Sequence, residues 1–349
     1  MARVFIEEFP HGPGGHCSST ATRDLLRFYG HDLSEEMTFG LGVGIDFIYG
    51  THPALVPPVY AGGRTRDLEV NLDHNLGLGM EIVSGLDERE GWLAVKQRLD
   101  AGIPTMVHAD VYHLDYLRAK RHFSAHRVVL VGYDEERGVA FVADNDRDEV
   151  QECSLANLAL ARSSAYPPTA ADNTYYVFEL PESLRPLSEA IPTALAQAVR
   201  QNIGRPLEEA EVEWDGARLF MGTRGVRAFA EEMGSWPEMM DAEMLSLACK
   251  TLYVNLEKGG TGYGGNFRRI YGRFLIESAG ILGEAGLEDL GRRFISIGDT
   301  WTELSTTFRE MSSEGERAVE EGRPLAARLA GEEEEAFEGL AGIASSLGG

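Results

Sequence analysis

Cys17 follows the glycine-rich stretch HGPGGHC and opens the segment STATRDLLRFYG, where Leu25, Leu26 and Phe28 recur at helical spacing before Gly30. A helix amino terminus carries roughly half a positive charge, which favours a thiolate over a thiol. The thiolate is the nucleophilic form, so this placement suits covalent catalysis. Glycines allow close backbone approach to a substrate, and N–H groups at such a turn can hold an oxyanion. The other two cysteines lack this setting. Cys249 lies in the helical pattern SLACKTLY and reads as core, and Cys153 has neither a glycine approach nor a histidine downstream.

A cysteine nucleophile needs a base, and all nine histidines lie at or before His126. His126 directly precedes the β-branched run RVVLVGY, a rigid element able to fix its ring. A third group must orient that ring. The runs Val128–Tyr133 and Val139–Ala143 flank a polar turn ending at Gly138 and read as a hairpin, with Asp144 closing its second strand. A turn at about residues 135–137 makes His126 and Asp144 neighbours across the ladder. Cys17, His126 and Asp144 are therefore the candidate nucleophile, base and orienting group.

Metal chemistry is the rival reading. His122 and His126 are one helical turn apart, and His108, His113, His11 and His16 are also available. HFSAH lacks the glutamate of HExxH, however, and the β-run that follows argues against a helix, so neither a metal nor a cofactor is expected. The glycine-rich GGTGYGG at 259–265, followed by Arg268 and Arg269, could meet a phosphate or carboxylate. It follows a helix, lacks a GK[ST] ending, and reads more simply as a turn between helices.

These residues need elements to position them. RVFIEEF, IPTMVHA and NTYYVFEL read as strands, and 67–76, 88–100 and SLANLALARSS (capped by Ser154) as helices. After Pro181 and Pro186 nearly everything reads helical, and the acidic run GEEEEAFEGL reads as a solvated face or tail. The 349 residues suggest two domains, 1–182 and 183–349. With 43% hydrophobic residues the chain can build a core. MARVFIEEF lacks an apolar signal-peptide core, no apolar run is long enough for a membrane span, and three cysteines are no disulfide scaffold. A cytoplasmic protein without membrane contact is expected, with homo-oligomerisation left open. The net charge of −24 argues against nucleic acid and fits a cationic or amine-bearing partner.

The run GGHCSSTATRDLLRFYGHDLSEEMTFGLGVGIDFIYG resembles the N-terminal domain of the butirosin biosynthesis protein H family. Its marks are His16-Cys17, Leu25-Leu26, the stretch Asp32 to Met37, and Phe39 to Gly44. The likeness continues through HFSAHRVVLVGYDEERG, the Asp144 strand and SLANLALARSS, and the second half resembles the helical domain of unknown function that commonly follows, most clearly in GTGYGGNFRRIYGRFLIESAG. The resemblance implies an α+β, papain-like cysteine-peptidase fold followed by an all-α domain. It implies a cysteine acyltransferase of secondary metabolism, moving an acyl or aminoacyl group from an acyl carrier protein or acyl-CoA thioester to an amine of a small molecule. Carried over by motif, Cys17 is the nucleophile, His126 the base and Asp144 the orienting group. Papain-like enzymes usually place an oxyanion-donating glutamine six residues before the cysteine; here that position is His11. His16, Asn145 and Asp146 are further oxyanion or substrate candidates; bacteriocin-processing relatives carry Asp-Pro where this sequence has Asp144-Asn145-Asp146, so Asn145 or Asp146 could stand in for the third group. Arg118, Lys120 and Arg121 form a basic patch that could answer an acidic carrier protein. A peptidase or amidase using the same three residues, or a cyclase or binding protein on the same fold, are the alternatives.

Overall fold

A computed structural model describes residues 3–65, 67–166, 169–214, 216–258 and 263–347. The chain opens with β1 (Arg3–Phe5), α1 (Cys17–Phe28) and α2 (Glu35–Leu41), then β2 (Ile45–Thr51), β3 (Val59–Arg64) and α3 (Leu68–Leu76). Next come β4 (Met80–Val83), α4 (Glu88–Asp100), β5 (Thr105–Ala109), β6 (His126–Asp134), β7 (Val139–Ala143), β8 (Gln151–Ser154), α5 (Leu155–Ser163) and β9 (Tyr175–Phe178). The remainder is α6 (Leu187–Asn202), α7 (Leu207–Ala210), β10 (Glu211–Trp214), β11 (Ala217–Met221), α8 (Gly222–Glu232), α9 (Trp236–Met239), α10 (Ala242–Leu256), α11 (Arg268–Leu282), α12 (Ala285–Glu310) and α13 (Gly315–Leu347).

The contacts divide the chain into two units. The first combines 1–38 with 77–184, and the second combines 39–76 with 185–349. The segment 39–76, expected in the first domain, instead packs with the second.

The first unit is built on a seven-stranded antiparallel sheet in the order β4-β9-β5-β6-β7-β8, with β1 added alongside β6. Alternation along β6 gives the sheet two apolar faces. Val129 and Val131, with Met106, Phe141 and Ala143, pack against Ala21 and Leu25 of α1. Val128 and Leu130, with Val107, Ala140 and Val142, pack against Val95 and Leu99 of α4 and Leu158 and Ala161 of α5. Gly30, at φ +90°, follows α1 where its sequence demanded a stop.

The second unit is not all-α, and this corrects the sequence reading. A four-stranded sheet in the order β10-β11-β2-β3 joins residues from both of its chain segments. Arg218–Met221 pair antiparallel with Ile48–Thr51, which draws the β2–β3 hairpin into this unit. The helices carry a second departure. In the acidic run of α13, expected to be solvated, Glu333 is fully buried. It accepts from Arg268 Nε and Nη2, both at 2.7 Å, and from Trp301 Nε1 at 2.6 Å. Its helical position explains this, because Ala336, Phe337 and Leu340 share the same buried stripe. Arg268 spends its remaining reach on the carbonyls of Asp46, Gly63 and Asn266, and so is a structural residue rather than a surface anion ligand. Of GGTGYGG, residues 259–262 lie outside the described residues. No helix among the described residues is long and apolar enough to cross a membrane.

Candidate functional site

Cys17 is the first residue of α1 and is 6% exposed. The turn before it is held from below by a carboxylate. Glu35, 2% exposed, accepts from Gly15 N at 3.0 Å and His16 N at 2.9 Å through its two oxygens. It also accepts from Ser19 Oγ at 3.0 Å and Thr20 Oγ1 at 2.9 Å. A Cβ on Gly14 would come within 2.1 Å of Thr20 Oγ1 and 2.5 Å of Glu35 Oε2. That glycine therefore serves contact with Glu35. Asn145 clamps the same residue from the other side: Gly14 N donates to Asn145 O at 2.8 Å, and Asn145 Nδ2 donates to Gly14 O at 3.1 Å.

His126 begins β6 and Asp144 directly follows β7. The observed register pairs Val129 with Ala143, so Asp144 falls opposite Val128, two residues along from His126. The two are diagonal neighbours of the same parity, close enough for long side chains to meet. They do meet: His126 Nε2 lies 2.8 Å from Asp144 Oδ1. The ring is also hydrogen-bonded to the Cys17 side chain. Burial pulls the His126 pKa down, but the charge and hydrogen bond of Asp144 outweigh it, and with Cys17 they raise the ring to about 10. Burial likewise pushes Asp144 up, and His126, Tyr116 and the Asn145 backbone together bring it below the ordinary carboxylate value.

The other oxygen of Asp144 is also occupied. Tyr116 Oη donates to Oδ2 at 2.7 Å, and burial followed by the Asp144 charge raises the phenol well above its ordinary value, so it stays a donor. Neither Tyr116 nor Glu35 emerged from sequence reasoning. Glu35 was visible only as an acidic first-turn residue of α2, and Tyr116 lies in an irregular stretch without periodicity.

Several sequence candidates take different places. His11 was the oxyanion candidate, but both its ring nitrogens are engaged elsewhere, Nδ1 with Asp24 Oδ2 at 3.2 Å and Nε2 with Arg147 O at 2.9 Å. It is a brace between the pre-cysteine loop and the post-Asp144 loop. His16 is the N-cap of α1, its Nδ1 accepting from Ser19 N at 3.3 Å. Asn145 is the clamp on Gly14. Asp146 pairs with Arg147 at 3.1 Å, and burial and the neighbouring Asp144 raise its pKa. The histidines of HFSAH separate: His126 joins Cys17 and Asp144, whereas His122 bonds Asp110 at 2.7 Å. A cavity of about 550 Å³ in the same unit is lined by Tyr112, His113, Arg118, Lys120 and Asn157 among others.

These observations define an α+β domain in which an antiparallel sheet holds a histidine–aspartate pair against a thiol at a helix amino terminus. The chain matches the family model for butirosin biosynthesis protein H, N-terminal, over residues 16–145, a span containing Cys17, His126 and Asp144. It matches a domain of unknown function, DUF4872, over residues 156–340. The chain belongs to the family with this pair of domains. No curated protein is significantly similar to it. The family spans and the units do not coincide, since 39–76, inside the first span, belong to the same unit as most of the second span.

Proposed function

We propose that this protein is a cysteine-dependent acyltransferase of secondary metabolism on a papain-like fold. The observation that carries the reading is the His126 side chain, which lies 2.8 Å from Asp144 through Nε2 and whose pKa is raised in part by Cys17 at the amino terminus of α1. The family's link by name to the biosynthesis of butirosin supports the metabolic setting.

In this reading Cys17 and His126 rest as a thiolate–imidazolium pair. Sγ attacks the carbonyl carbon of a carrier-protein or coenzyme A thioester. The tetrahedral oxyanion forms against the amino-terminal end of α1. Its collapse breaks the C–S bond to the donor, and the departing thiolate takes the proton from His126. A small-molecule amine then attacks the Cys17 thioester carbonyl and passes its proton to His126. The new C–N bond remains as the C–Sγ bond breaks, which returns the thiolate–imidazolium pair. Asp144 holds the ring in orientation through both half-reactions. Arg118 and Lys120 on the cavity wall offer charge to a phosphate-bearing donor, and the net charge of −24 favours approach of a cationic acceptor.

Incubation with an acyl-pantetheine thioester tests this directly. Intact-mass spectrometry should reveal one acyl adduct, mapped to Cys17 and missing in Cys17→Ala. Adduct decay should accelerate with added amine and yield an amide. Decay at the same rate with or without amine would make the protein a hydrolase, and no adduct at all would leave only a binding or cyclising role for the fold.

A further inference from the structure

Beyond that reaction, and independently of it, we propose that Asp110, His113 and His122 form a binding site for a divalent first-row transition metal, with Zn²⁺ as its natural fit. Each of the three residues places one donor atom within 4.8 Å of the other two. Two imidazoles and a carboxylate are a common zinc donor set, with water completing the coordination.

The surroundings fix each ligand. Asp110 is 0% exposed and follows β5 directly. Its Oδ1 accepts from Tyr112 N at 3.1 Å and Phe123 N at 3.0 Å. Its Oδ2 accepts from Ser164 Oγ at 2.8 Å and meets His122 Nδ1 at 2.7 Å. The same carboxylate caps the turn Val111–His113 that presents the second histidine. His122 is stacked between Tyr112, at 4.1 Å between ring centroids, and Tyr166, at 4.4 Å. Stacking on both faces restrains the ring while leaving its edge, where the nitrogens lie, to the ligand cluster. His113 also lines the 550 Å³ cavity, which provides a way in for a hydrated ion. Binding would place the cation where the His122–Asp110 hydrogen bond now lies, with the imidazole as a neutral ligand carrying its one N–H on the nitrogen that does not bind the ion.

The position gives the ion a structural task. Ala109 pairs with His126 across β5 and β6, so residues 110–125 form the excursion between these two strands. An ion held by positions 110, 113 and 122 ties the two ends of that excursion together. Binding to the folded chain alone must then raise its thermal midpoint.

The test uses full-length protein carrying Cys17→Ala, so that the reactive thiol contributes no ligand. After chelator treatment it is titrated with Co²⁺ alone. We expect one equivalent bound, a visible d–d absorption band, displacement by Zn²⁺, and a higher thermal midpoint with either ion. His113→Ala and His122→Gln should each abolish stoichiometric binding, while His52→Ala should retain it. Should one substitution disturb folding by circular dichroism, the other still decides. Absence of a bound equivalent, or binding that survives in a folded His113→Ala or His122→Gln chain, overturns the proposal.

Discussion

Tyr116 Oη donates to Asp144 Oδ2 at 2.7 Å while His126 Nε2 occupies Oδ1 at 2.8 Å, so the two oxygens of one buried carboxylate are divided between a phenol and an imidazole. In the proposed reaction Tyr116 would act through Asp144 as a positioning residue. Hydrogen bonds to charged groups are worth about 1.5–3 kcal/mol. Tyr116→Phe should therefore lower kcat/KM by about tenfold or somewhat more, a loss of roughly 1.4 kcal/mol per decade. The readout that separates positioning from mere packing is the pH profile. Without the phenol, the Asp144 charge is less stabilised, its pKa rises, and the acid limb must move to higher pH. An unchanged acid limb would reduce Tyr116 to a packing residue.

The His126 shift has a defined sign. Its ordinary value is 6.5 and its folded value about 10, so it contributes stability that is full below pH 6.5 and is lost as pH rises towards 10. Asp144 runs the other way: lowered from 3.8, its contribution is present above that value and disappears as pH falls through the folded pKa. Thiol acylation should hold a plateau into the alkaline range and fall as His126 loses its proton near pH 10. Asp144→Asn removes the largest influence raising the ring, so the alkaline limb should move towards neutrality. Acylation rates of the two proteins across pH 5–11 decide the matter, and coincident alkaline limbs would contradict it.

Much of this site could be read from the chain because two local patterns carry it. A cysteine between glycines and a helix is visible in a dozen residues, and a hairpin places its own ends together. The register agrees with mirror counting about a turn at 135–137: Gly132 pairs with Phe141 but Leu130 pairs with Val142, and that irregularity brings Val128, rather than Val129, opposite Asp144, which leaves His126 its diagonal neighbour. Glu35 and Tyr116 were not legible, since each acts over a distance that only packing determines. The sheet of the second unit had a usable sign: in EVEWDGARLF, Asp215-Gly216 separates two alternating runs, a strong hairpin signature, and Gly216 sits at φ +78°. That β2 would pair with β11, about 170 residues later, has no local signature at all.

Glu35 should behave as the keystone of the nucleophile turn. It accepts from two backbone N–H groups and two hydroxyls while almost wholly buried. Glu35→Ala leaves these four donors without their acceptor, and each unsatisfied buried group costs about 1–3 kcal/mol before relaxation or water entry. A loss of at least about 3 kcal/mol is expected in urea unfolding. Glu35→Gln keeps the shape but replaces one acceptor oxygen by an amide that cannot accept. It should remain folded while the rate of Cys17 alkylation by iodoacetamide changes, because Gly15 and His16 would no longer be held together. Equal alkylation rates in the parent and Glu35→Gln would remove Glu35 from the positioning of the thiol.

Glu333 offers the sharpest test of the second unit, because its identity contradicts its neighbourhood in sequence. Four consecutive glutamates occupy 332–335, yet only Glu333 is wholly buried, fully paired with Arg268 and bonded to Trp301. Breaking a buried pair by removing one partner leaves the other charge uncompensated and costs about 3–5 kcal/mol. Glu333→Ala should lose that much, whereas Glu334→Ala, whose pairing with Arg227 is exposed, should change stability by less than about 1 kcal/mol. Replacing both Arg268 and Glu333 by apolar residues of similar size should recover a large part of the loss, since no unpaired charge then stays inside. Urea unfolding of the three variants at one pH gives the comparison. Equal effects of Glu333→Ala and Glu334→Ala would mean that the acidic run of α13 is solvated throughout.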